Sequence, residues 1–237
     1  MNPDLSTVGN IVDWVVFKCN QFIVFNKPPG IPVQTDKTGD PALIQLGSAW
    51  CKRTLFPVHR IDRPASGLVV FGRKDSATAH LGEQFKNRKA GKTYLAAVGE
   101  MPPEMSGTLR HFLRKSNKAN KALIVDEEKG KEAVLEYQVL GSIENYHLLE
   151  IIPRTGRYHQ IRAQLAAIGC PIKGDVKYGF RRSNKDRSIH LHAWKLTIRH
   201  PVSGELLTLE APLPDDPVWR AFAENGTLPS LTQVNEQ

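Results

Sequence analysis

Short apolar segments rich in β-branched residues outnumber the helical patterns in this chain, and the two do not alternate regularly. Because β-branched and aromatic side chains suit a pleated, half-buried surface, these segments predict strands. An irregular order of strands and helices favours an α+β domain around a mostly antiparallel sheet over a doubly wound parallel fold. We therefore predict a single α+β domain with a mixed, mostly antiparallel sheet and flanking helices. The predicted strands cover residues 22–25, 67–71, 93–98, 133–140, 146–152 and 188–199.

Helix signals are fewer. An aspartate is typical of an N-cap, the more so when proline follows it at the first helical position. Apolar residues three and four positions apart are typical of an amphipathic helix. By these signals, helices begin at Asp40, Asp75 and Asp216, and a further helix covers residues 158–168. Residues 200–204 have the composition of a hairpin turn between two strands.

Composition and length exclude several classes of protein. The 237 residues are 41% hydrophobic and 24% charged, which is typical of a globular chain rather than a disordered chain or a coiled-coil rod. No apolar run approaches the roughly 20 residues of a transmembrane helix, and the first residues do not resemble a signal peptide. We therefore expect a cytoplasmic protein with no membrane partner. The cysteines are widely spaced, which predicts neither a disulfide framework nor a zinc site.

Positive charge is concentrated in part of the chain. The formal net charge is +8, but residues 202–237 contain six acidic residues and one basic residue, so residues 1–201 carry +13. Two stretches contain bases and no acids, residues 84–99 and 107–125. A basic surface of this kind attracts polyanions, nucleic acid above all, although a solvated lysine-rich surface is the alternative. The candidate RNA-binding residues in these stretches are Lys86, Arg88, Lys89, Lys92, Arg110, Arg114 and Lys115, followed by Lys118 and Lys121.

The segment 59–67 concentrates groups that could carry chemistry. Asp62 lies between Arg60 and Arg63, and two nearby arginines should hold the pKa of its carboxyl below the usual range. An ionised carboxylate on a loop before a strand can act as a nucleophile, a general base or an ion-pair partner. The alternative is a network of aspartate and arginine that stabilises a turn.

Several segments, in a fixed order, resemble one known family. Residues 59–68 resemble HR(L/I)DxxTSG, the signature of the RluA-type pseudouridine synthases. The resemblance extends over about residues 22–212, nearly the whole chain, which makes it specific. The other matching segments are 26–30 (KPxG), 92–96 (KxYxA), 156–162 (GRxHQIR), 169–179 (GxPIxGDxxYG), 192–196 and 200–201.

The resemblance implies the pseudouridine synthase fold and an isomerase that converts uridine in ribosomal or transfer RNA to pseudouridine. In that reaction the N-glycosidic bond is cleaved, the uracil rotates while held, and its carbon 5 is joined to the ribose. Asp62 matches the family's catalytic aspartate. It either attacks the anomeric carbon, as a retaining glycosidase nucleophile does, or acts as a base in an elimination through a glycal. This chemistry requires no metal and no cofactor, and we expect neither.

The resemblance also implies roles for residues around the catalytic aspartate. Arg162 matches an arginine that ion-pairs with it, and Tyr94 matches an aromatic residue that stacks on the target base. Arg60 matches an arginine that occupies the space left by a flipped nucleotide. Two positions depart from the family pattern: Ala65 replaces the usual threonine, which loses a hydroxyl in the loop, and Tyr158 stands where threonine or serine is common.

The matching segments also define a domain organisation. We predict a short N-terminal extension at residues 1–20, a catalytic domain at 21–225 and a tail at 226–237. The extension is too short for the S4-type RNA-binding module that many relatives carry, so the catalytic domain should bind RNA by itself, as a monomer. The alternative function is a catalytically inactive RNA-binding or assembly factor with the same fold.

Overall fold

The computed structural model describes residues 10–228, and within them eleven strands form one continuous sheet. The strands are β1 (Val15–Lys18), β2 (Phe22–Lys27), β3 (Phe56–Pro57), β4 (Ser66–Gly72), β5 (Gly91–Val98), β6 (Ser106–Ser116), β7 (Lys121–Val125), β8 (Lys131–Ile143), β9 (Tyr146–Pro153), β10 (Leu191–Arg199) and β11 (Leu206–Glu210). The helices in the same residues are α1 (Leu43–Cys51), α2 (Asp75–Lys86), α3 (Gln160–Ala167) and α4 (Pro217–Glu224).

The order of the strands in the sheet is β1-β2-β4-β10-β5-β9-β8-β6-β7, with β3 paired to β4 and β11 paired to β10. Strands β4 and β10 run parallel, with Ser66 opposite His192, and the other pairs in the described residues are antiparallel. The prediction of an α+β domain with a mixed, mostly antiparallel sheet is therefore confirmed. The β4–β10 contact matters for the site, because it joins the N-terminal and C-terminal parts of the sheet.

Both faces of the central strands are buried beneath helices. In β2, Phe22 packs in a cluster with Leu81 of α2, whereas the next residue, Ile23, packs with Leu43 of α1 on the opposite face. The residues of β5 alternate in the same way: Ala96 packs in a cluster with α3, whereas Leu95 packs with α4 on the opposite face. Each fully buried leucine or phenylalanine contributes about 1.5–3 kcal/mol to stability. Helices α2 and α3 lie on one face and leave a cleft between them.

The predicted elements are present, with shifted boundaries. The first helix begins at Leu43 and not at Asp40, because the Asp40 carboxylate accepts a hydrogen bond from Arg63 instead of capping the helix. The third helix begins at Gln160, since the preceding His159 is left-handed with φ of 49°. The last helix is as predicted: the Asp216 side chain accepts a hydrogen bond from the backbone of its second residue.

Residues 107–125 form a hairpin that the sequence patterns did not predict. The stretch contains most of β6 and all of β7, and the hairpin lies at one edge of the sheet. Most side chains of β6 are exposed or half-buried, so the strand lacks the apolar alternation by which strands are recognised. The basic stretch is thus a structured surface.

The predicted N-terminal extension contributes to the sheet, since β1 lies within residues 1–20 and pairs with β2. Residues 1–9 of that extension and residues 229–237 of the predicted tail lie outside the described part of the chain. The division at residues 20 and 225 stays a prediction. Among the helices of residues 10–228, none is both long and apolar enough to cross a membrane.

We expect Gly67→Ala to lower the free energy of unfolding by about 3 kcal/mol, from overpacking and backbone strain together. Gly67 has φ of 111°, and an added Cβ would lie 2.3 Å from the carbonyl oxygen of Ala193 in β10. Urea denaturation of the purified variant measures the loss.

A matched control for this substitution is Gly82→Ala in α2, where a Cβ would meet nothing within 4 Å. Because glycine inside a helix is destabilising, this variant should gain about 0.5–1 kcal/mol. Equal stability of the two variants would contradict the assignment of Gly67 as a close-contact position.

Candidate active site

A cleft of about 550 Å³ lies between α2 and α3, beside the loop that precedes β4. Asp62, Arg60, Tyr94 and Arg162, the residues proposed from the motifs, all line it. Three of the candidate RNA-binding residues also line the cleft: Lys86, Arg88 and Lys92. The other four, Lys89, Arg110, Arg114 and Lys115, are exposed and lie outside its lining.

The loop that carries Asp62 is held by the chain segment after β2. The Arg63 carbonyl accepts hydrogen bonds from the Gly30 backbone at 2.9 Å and from Lys27 Nζ at 3.1 Å. The Arg63 side chain donates from Nε to the Gly30 carbonyl at 2.8 Å. On its other side, the Pro64 carbonyl accepts a hydrogen bond from the Ile189 backbone at 3.0 Å. These bonds fix the loop at the start of β4.

Arg162 lies between two carboxylates. Its Nη1 donates to Asp62 Oδ2 at 3.0 Å, while Nε and Nη2 donate to the two oxygens of Asp175 at 2.7 and 2.8 Å. The side chains of Arg162 and Asp175 are 5% and 1% exposed, whereas that of Asp62 is 20% exposed toward the cleft. Burial lowers the pKa of Arg162, but the two carboxylates outweigh it and hold the guanidinium charged.

The expectation that sequence neighbours lower the pKa of Asp62 is wrong. Burial raises the pKa of the Asp62 carboxyl, and the charge of Arg162 opposes that rise without cancelling it. Arg60 is exposed, and Arg63 is bound to Asp36 and Asp40. The partner of Asp62 is therefore an arginine 100 residues away in the chain.

Two further titratable groups lie near Asp62, Lys27 of the segment 26–30 and His159 of the segment 156–162, and the resemblance implied no role for either. Lys27 is fully buried, and this burial lowers its pKa to about 7, with the Asp62 charge opposing the change. His159 Nε2 lies 3.8 Å from Asp62 Oδ2, and its Nδ1 is 3.0 Å from the Tyr178 hydroxyl. Burial, followed by the charge of Arg162, lowers the pKa of His159 to about 3, so the imidazole is neutral at physiological pH.

Tyr94 and Arg60 take different places around the carboxylate. Tyr94 lies in β5 at the floor of the cleft, and its burial raises the pKa of its phenol, which keeps the ring neutral. Arg60 is exposed at the edge of the cleft. The neutral ring of Tyr94 on the floor suits stacking with a planar base. The cation of Arg60 at the entrance suits a phosphate, or the space that a flipped nucleotide leaves in the RNA.

The two departures from the family pattern have distinct structural outcomes. Ala65 is buried in the apolar cluster around α3, so its methyl group packs where a hydroxyl would need a partner. The Tyr158 ring stacks on His159 with centroids 3.9 Å apart, and its hydroxyl donates to Asn120 Oδ1 at 2.7 Å. Lys115 Nζ lies 4.7 Å from the centre of the same ring. Tyr158 thus connects the β6–β7 hairpin to the site.

Basic groups lie on both sides of the cleft. Lys86 ends α2, Arg88 lies in the turn that follows it, and Lys92 lies near the start of β5. Arg154 and Arg157, which the sequence patterns did not indicate, line the cleft from the segment between β9 and α3. Arg154 is paired with Glu136, whereas the Arg157 Nε donates to a backbone carbonyl at 2.9 Å. Within residues 10–228, no group of three or more His, Cys, Asp or Glu side chains is arranged to hold a metal ion.

Comparison with known proteins agrees with this arrangement. The family described as RNA pseudouridylate synthase matches residues 21–167. The chain is 30% identical to the ribosomal large subunit pseudouridine synthase C of Buchnera aphidicola, over 95% of this chain and 73% of that protein. It is 30% identical to the tRNA pseudouridine synthase C of Vibrio parahaemolyticus, over 85% and 90% of the two chains.

A solved structure confirms the expected fold. The human RNA pseudouridylate synthase domain containing 4 superposes with a TM-score of 0.69 at 26% identity, covering 86% of this chain and 90% of that one. The family match spans more than half of the chain, and it contains Asp62, Tyr94 and Arg162. The chain therefore belongs to the RluA-type family of RNA pseudouridine synthases, isomerases that convert uridine in RNA to pseudouridine.

Proposed function

We propose that this enzyme isomerises uridine in ribosomal or transfer RNA and that Asp62 is its catalytic carboxylate. One observation carries the proposal: among the described residues that line the cleft, Asp62 is the one carboxylate. Arg162 binds its Oδ2, and within residues 10–228 its Oδ1 has no hydrogen-bond partner, so that oxygen is free to meet a ribose. The names of the two relatives, one acting on the large ribosomal subunit and one on tRNA, support the RNA classes.

A carboxylate in this place can carry the reaction in two ways. As a nucleophile, an Asp62 oxygen bonds to the anomeric carbon while the bond to N1 breaks and the electron pair stays on uracil. Carbon 5 of the rotated uracil then displaces the carboxylate, loses its proton, and N1 gains one. As a base, Asp62 instead removes the proton at carbon 2′ while the bond from the anomeric carbon to N1 breaks, which forms a glycal. Carbon 5 of the rotated uracil then bonds to the anomeric carbon as Asp62 returns the proton to carbon 2′, and carbon 5 loses its proton and N1 gains one as in the first route. Deuterium at carbon 2′ gives a primary isotope effect in the second route alone, because only that route breaks the bond between carbon 2′ and its hydrogen.

The neighbouring groups suit either route. Arg162 holds Asp62 in one orientation and stabilises its ionised form. Tyr94 supplies a flat face on which uracil can stack and rotate, an interaction worth roughly 1–3 kcal/mol. Arg60, at the cleft edge, takes the space of the extruded nucleotide or binds its phosphate.

The basic side chains define a path for the RNA backbone. Lys86, Arg88 and Lys92 line the cleft, and Lys89 is exposed beside them. The hairpin contacts the site through Tyr158, whose hydroxyl donates to Asn120 and whose ring lies against Lys115. Because side chains alternate along β6, Lys115 points toward the site, whereas Arg110 and Arg114 point to the other face of the sheet. The hairpin bases in this proposal are Arg110, Arg114 and Lys115.

We expect Asp62→Asn to abolish isomerisation while RNA binding is retained, because an amide is neither a nucleophile nor a base at neutral pH. Tritium release measures the reaction, since carbon 5 of uridine loses its hydrogen. The substrate is ribosomal and transfer RNA labelled at that carbon and prepared from cells lacking the gene.

The matched control is Asp215→Asn, an exposed aspartate that precedes α4 on the opposite face of the sheet. It should leave tritium release unchanged. Substantial turnover by Asp62→Asn would refute the catalytic assignment. A wild-type chain that binds RNA but releases no tritium would instead support the inactive RNA-binding or assembly factor.

As the pH is lowered, the rate of isomerisation should begin to fall at a higher pH than the ordinary aspartate pKa of about 3.9 predicts. The carboxylate form is the active one, and burial raises the pKa of Asp62, so protonation removes that form sooner as the pH falls. Arg162→Met removes the charge that opposes this rise and should move the acidic limb further up in pH. Single-turnover rates across the acidic range, with Arg220→Met as control, measure both effects. An acidic limb that moves to lower pH in Arg162→Met would contradict the prediction.

Replacing Lys86, Arg88 and Lys92 together by alanine should weaken binding to all RNAs alike. Each lost phosphate contact should reduce the slope of log affinity against log salt by about 0.7 for a single strand, because fewer counterions are released. Affinity measured over a range of salt gives the slope, with Arg220→Ala as the control.

The hairpin bases are tested in a separate variant, in which Arg110, Arg114 and Lys115 are replaced by alanine. Its slope should also decrease, while the rate on bound RNA stays near that of the wild type. An unchanged slope for either cluster would remove that cluster from the RNA path.

A further inference from the structure

Asp175 lies behind the site, on the side of Arg162 away from the cleft. Its side chain is 1% exposed, and it precedes a short 3₁₀ turn, Val176–Tyr178. Its backbone is fixed: the Asp175 N–H donates to the Ile172 carbonyl at 2.9 Å, and its carbonyl accepts from the backbones of Tyr178 and Phe180 at 3.0 and 3.1 Å. The carboxylate is therefore held by a rigid segment and cannot reach the substrate.

The two oxygens of Asp175 take one whole edge of the Arg162 guanidinium. Nε and Nη2 donate to them at 2.7 and 2.8 Å, the two-pronged geometry that orients a planar guanidinium most strongly. The Tyr178 ring lies 5.0 Å from the Arg162 Cζ. With one edge bound and an aromatic ring against the group, the guanidinium has one orientation available.

This orientation determines how many N–H groups of Arg162 can donate to Asp62. Nη1 alone donates to Asp62 Oδ2, at 3.0 Å, although an unrestrained arginine could offer an edge with two donors. A carboxylate held at both oxygens would have its lone pairs occupied and its nucleophilicity and basicity reduced. A carboxylate held at one oxygen is oriented and still reactive at the other.

We propose that Asp175 is a positioning residue for the isomerisation, acting through Arg162 to leave one oxygen of Asp62 free and correctly placed. The inference rests on the proposed role of Asp62 and extends it to a residue that does not line the cleft. It assigns a purpose to the aspartate of the 169–179 segment.

Asp175→Asn tests the proposal, since an amide has one acceptor oxygen and no charge. The single-turnover rate of tritium release should fall about 10- to 100-fold, because a small displacement of a reacting group has effects of this size. Affinity for RNA should stay unchanged, because Asp175 is buried and does not line the cleft. Melting curves establish that each variant is folded at the assay temperature, and Asp215→Asn is the matched control.

The effect should depend on Arg162. In an Arg162→Met background, adding Asp175→Asn should slow the reaction no further, because the residue through which Asp175 acts is already absent. A wild-type rate for Asp175→Asn, or equal slowing in both backgrounds, would overturn the proposal.

A second measurement decides the case in which Asp175→Asn does not fold. In the Asp62→Asn chain, the guanidinium protons of Arg162 should remain protected from exchange in NMR spectra, since Asp175 still holds them. Exchange as rapid as in an exposed arginine would overturn the proposal. Full activity of Asp62→Asn would refute the proposed function, whereas an inactive Asp62→Asn with a fully active Asp175→Asn would refute this inference alone.

Discussion

The buried guanidinium of Arg162 is the interaction on which the site depends. A charge removed from water is stable only when it is paired and hydrogen-bonded, and removing one partner of such a pair costs about 3–5 kcal/mol. Arg162 satisfies this requirement with carboxylates from two other segments, the loop at residue 62 and the segment at residue 175. One desolvated cation therefore brings together three segments of the chain, one of which is 100 residues away in the sequence.

The sheet places those parts within reach of each other. Parallel pairing of β4 with β10 brings the end of the 59–65 loop beside β5, which carries Tyr94. Helix α3 packs on the same face through its apolar side, which directs Arg162 into the cleft. Because both faces of the central strands are covered by helices, the floor of the cleft is rigid, as a site that must hold a rotating base requires.

Opposing effects on one carboxylate give the site its chemical character. Burial makes Asp62 more basic than a free aspartate, while a single hydrogen bond from Arg162 keeps it ionised and oriented. Neutral His159 lies nearby without adding charge, and exposed cations lie at the cleft walls and on the hairpin. In the proposed function, RNA binding and chemistry therefore use separate groups, so each can be tested by itself.

Much of this protein was determined by its sequence alone. Short apolar, β-branched segments in irregular order with helices predicted the α+β fold, and the motifs indicated Asp62, Tyr94 and Arg162, all of which line one cleft. Helix α4 followed from a local rule, an aspartate cap followed by proline. Such features depend on residues near each other in the chain, and so they can be recognised without a structure.

Tertiary structure decided the rest. The pKa of Asp62 moved opposite to the expectation because Arg63 is paired with Asp36 and Asp40, Arg60 is exposed to solvent, and burial is a property of the whole fold. The hairpin at 107–125 was missed because most side chains of β6 are exposed or half-buried, so the strand shows no apolar alternation. The role of Asp175 depends on contacts with a residue 13 positions earlier, and Asp62 meets Arg162 across 100 positions. Desolvation and long-range pairing arise only when the chain has folded, so no local pattern records them.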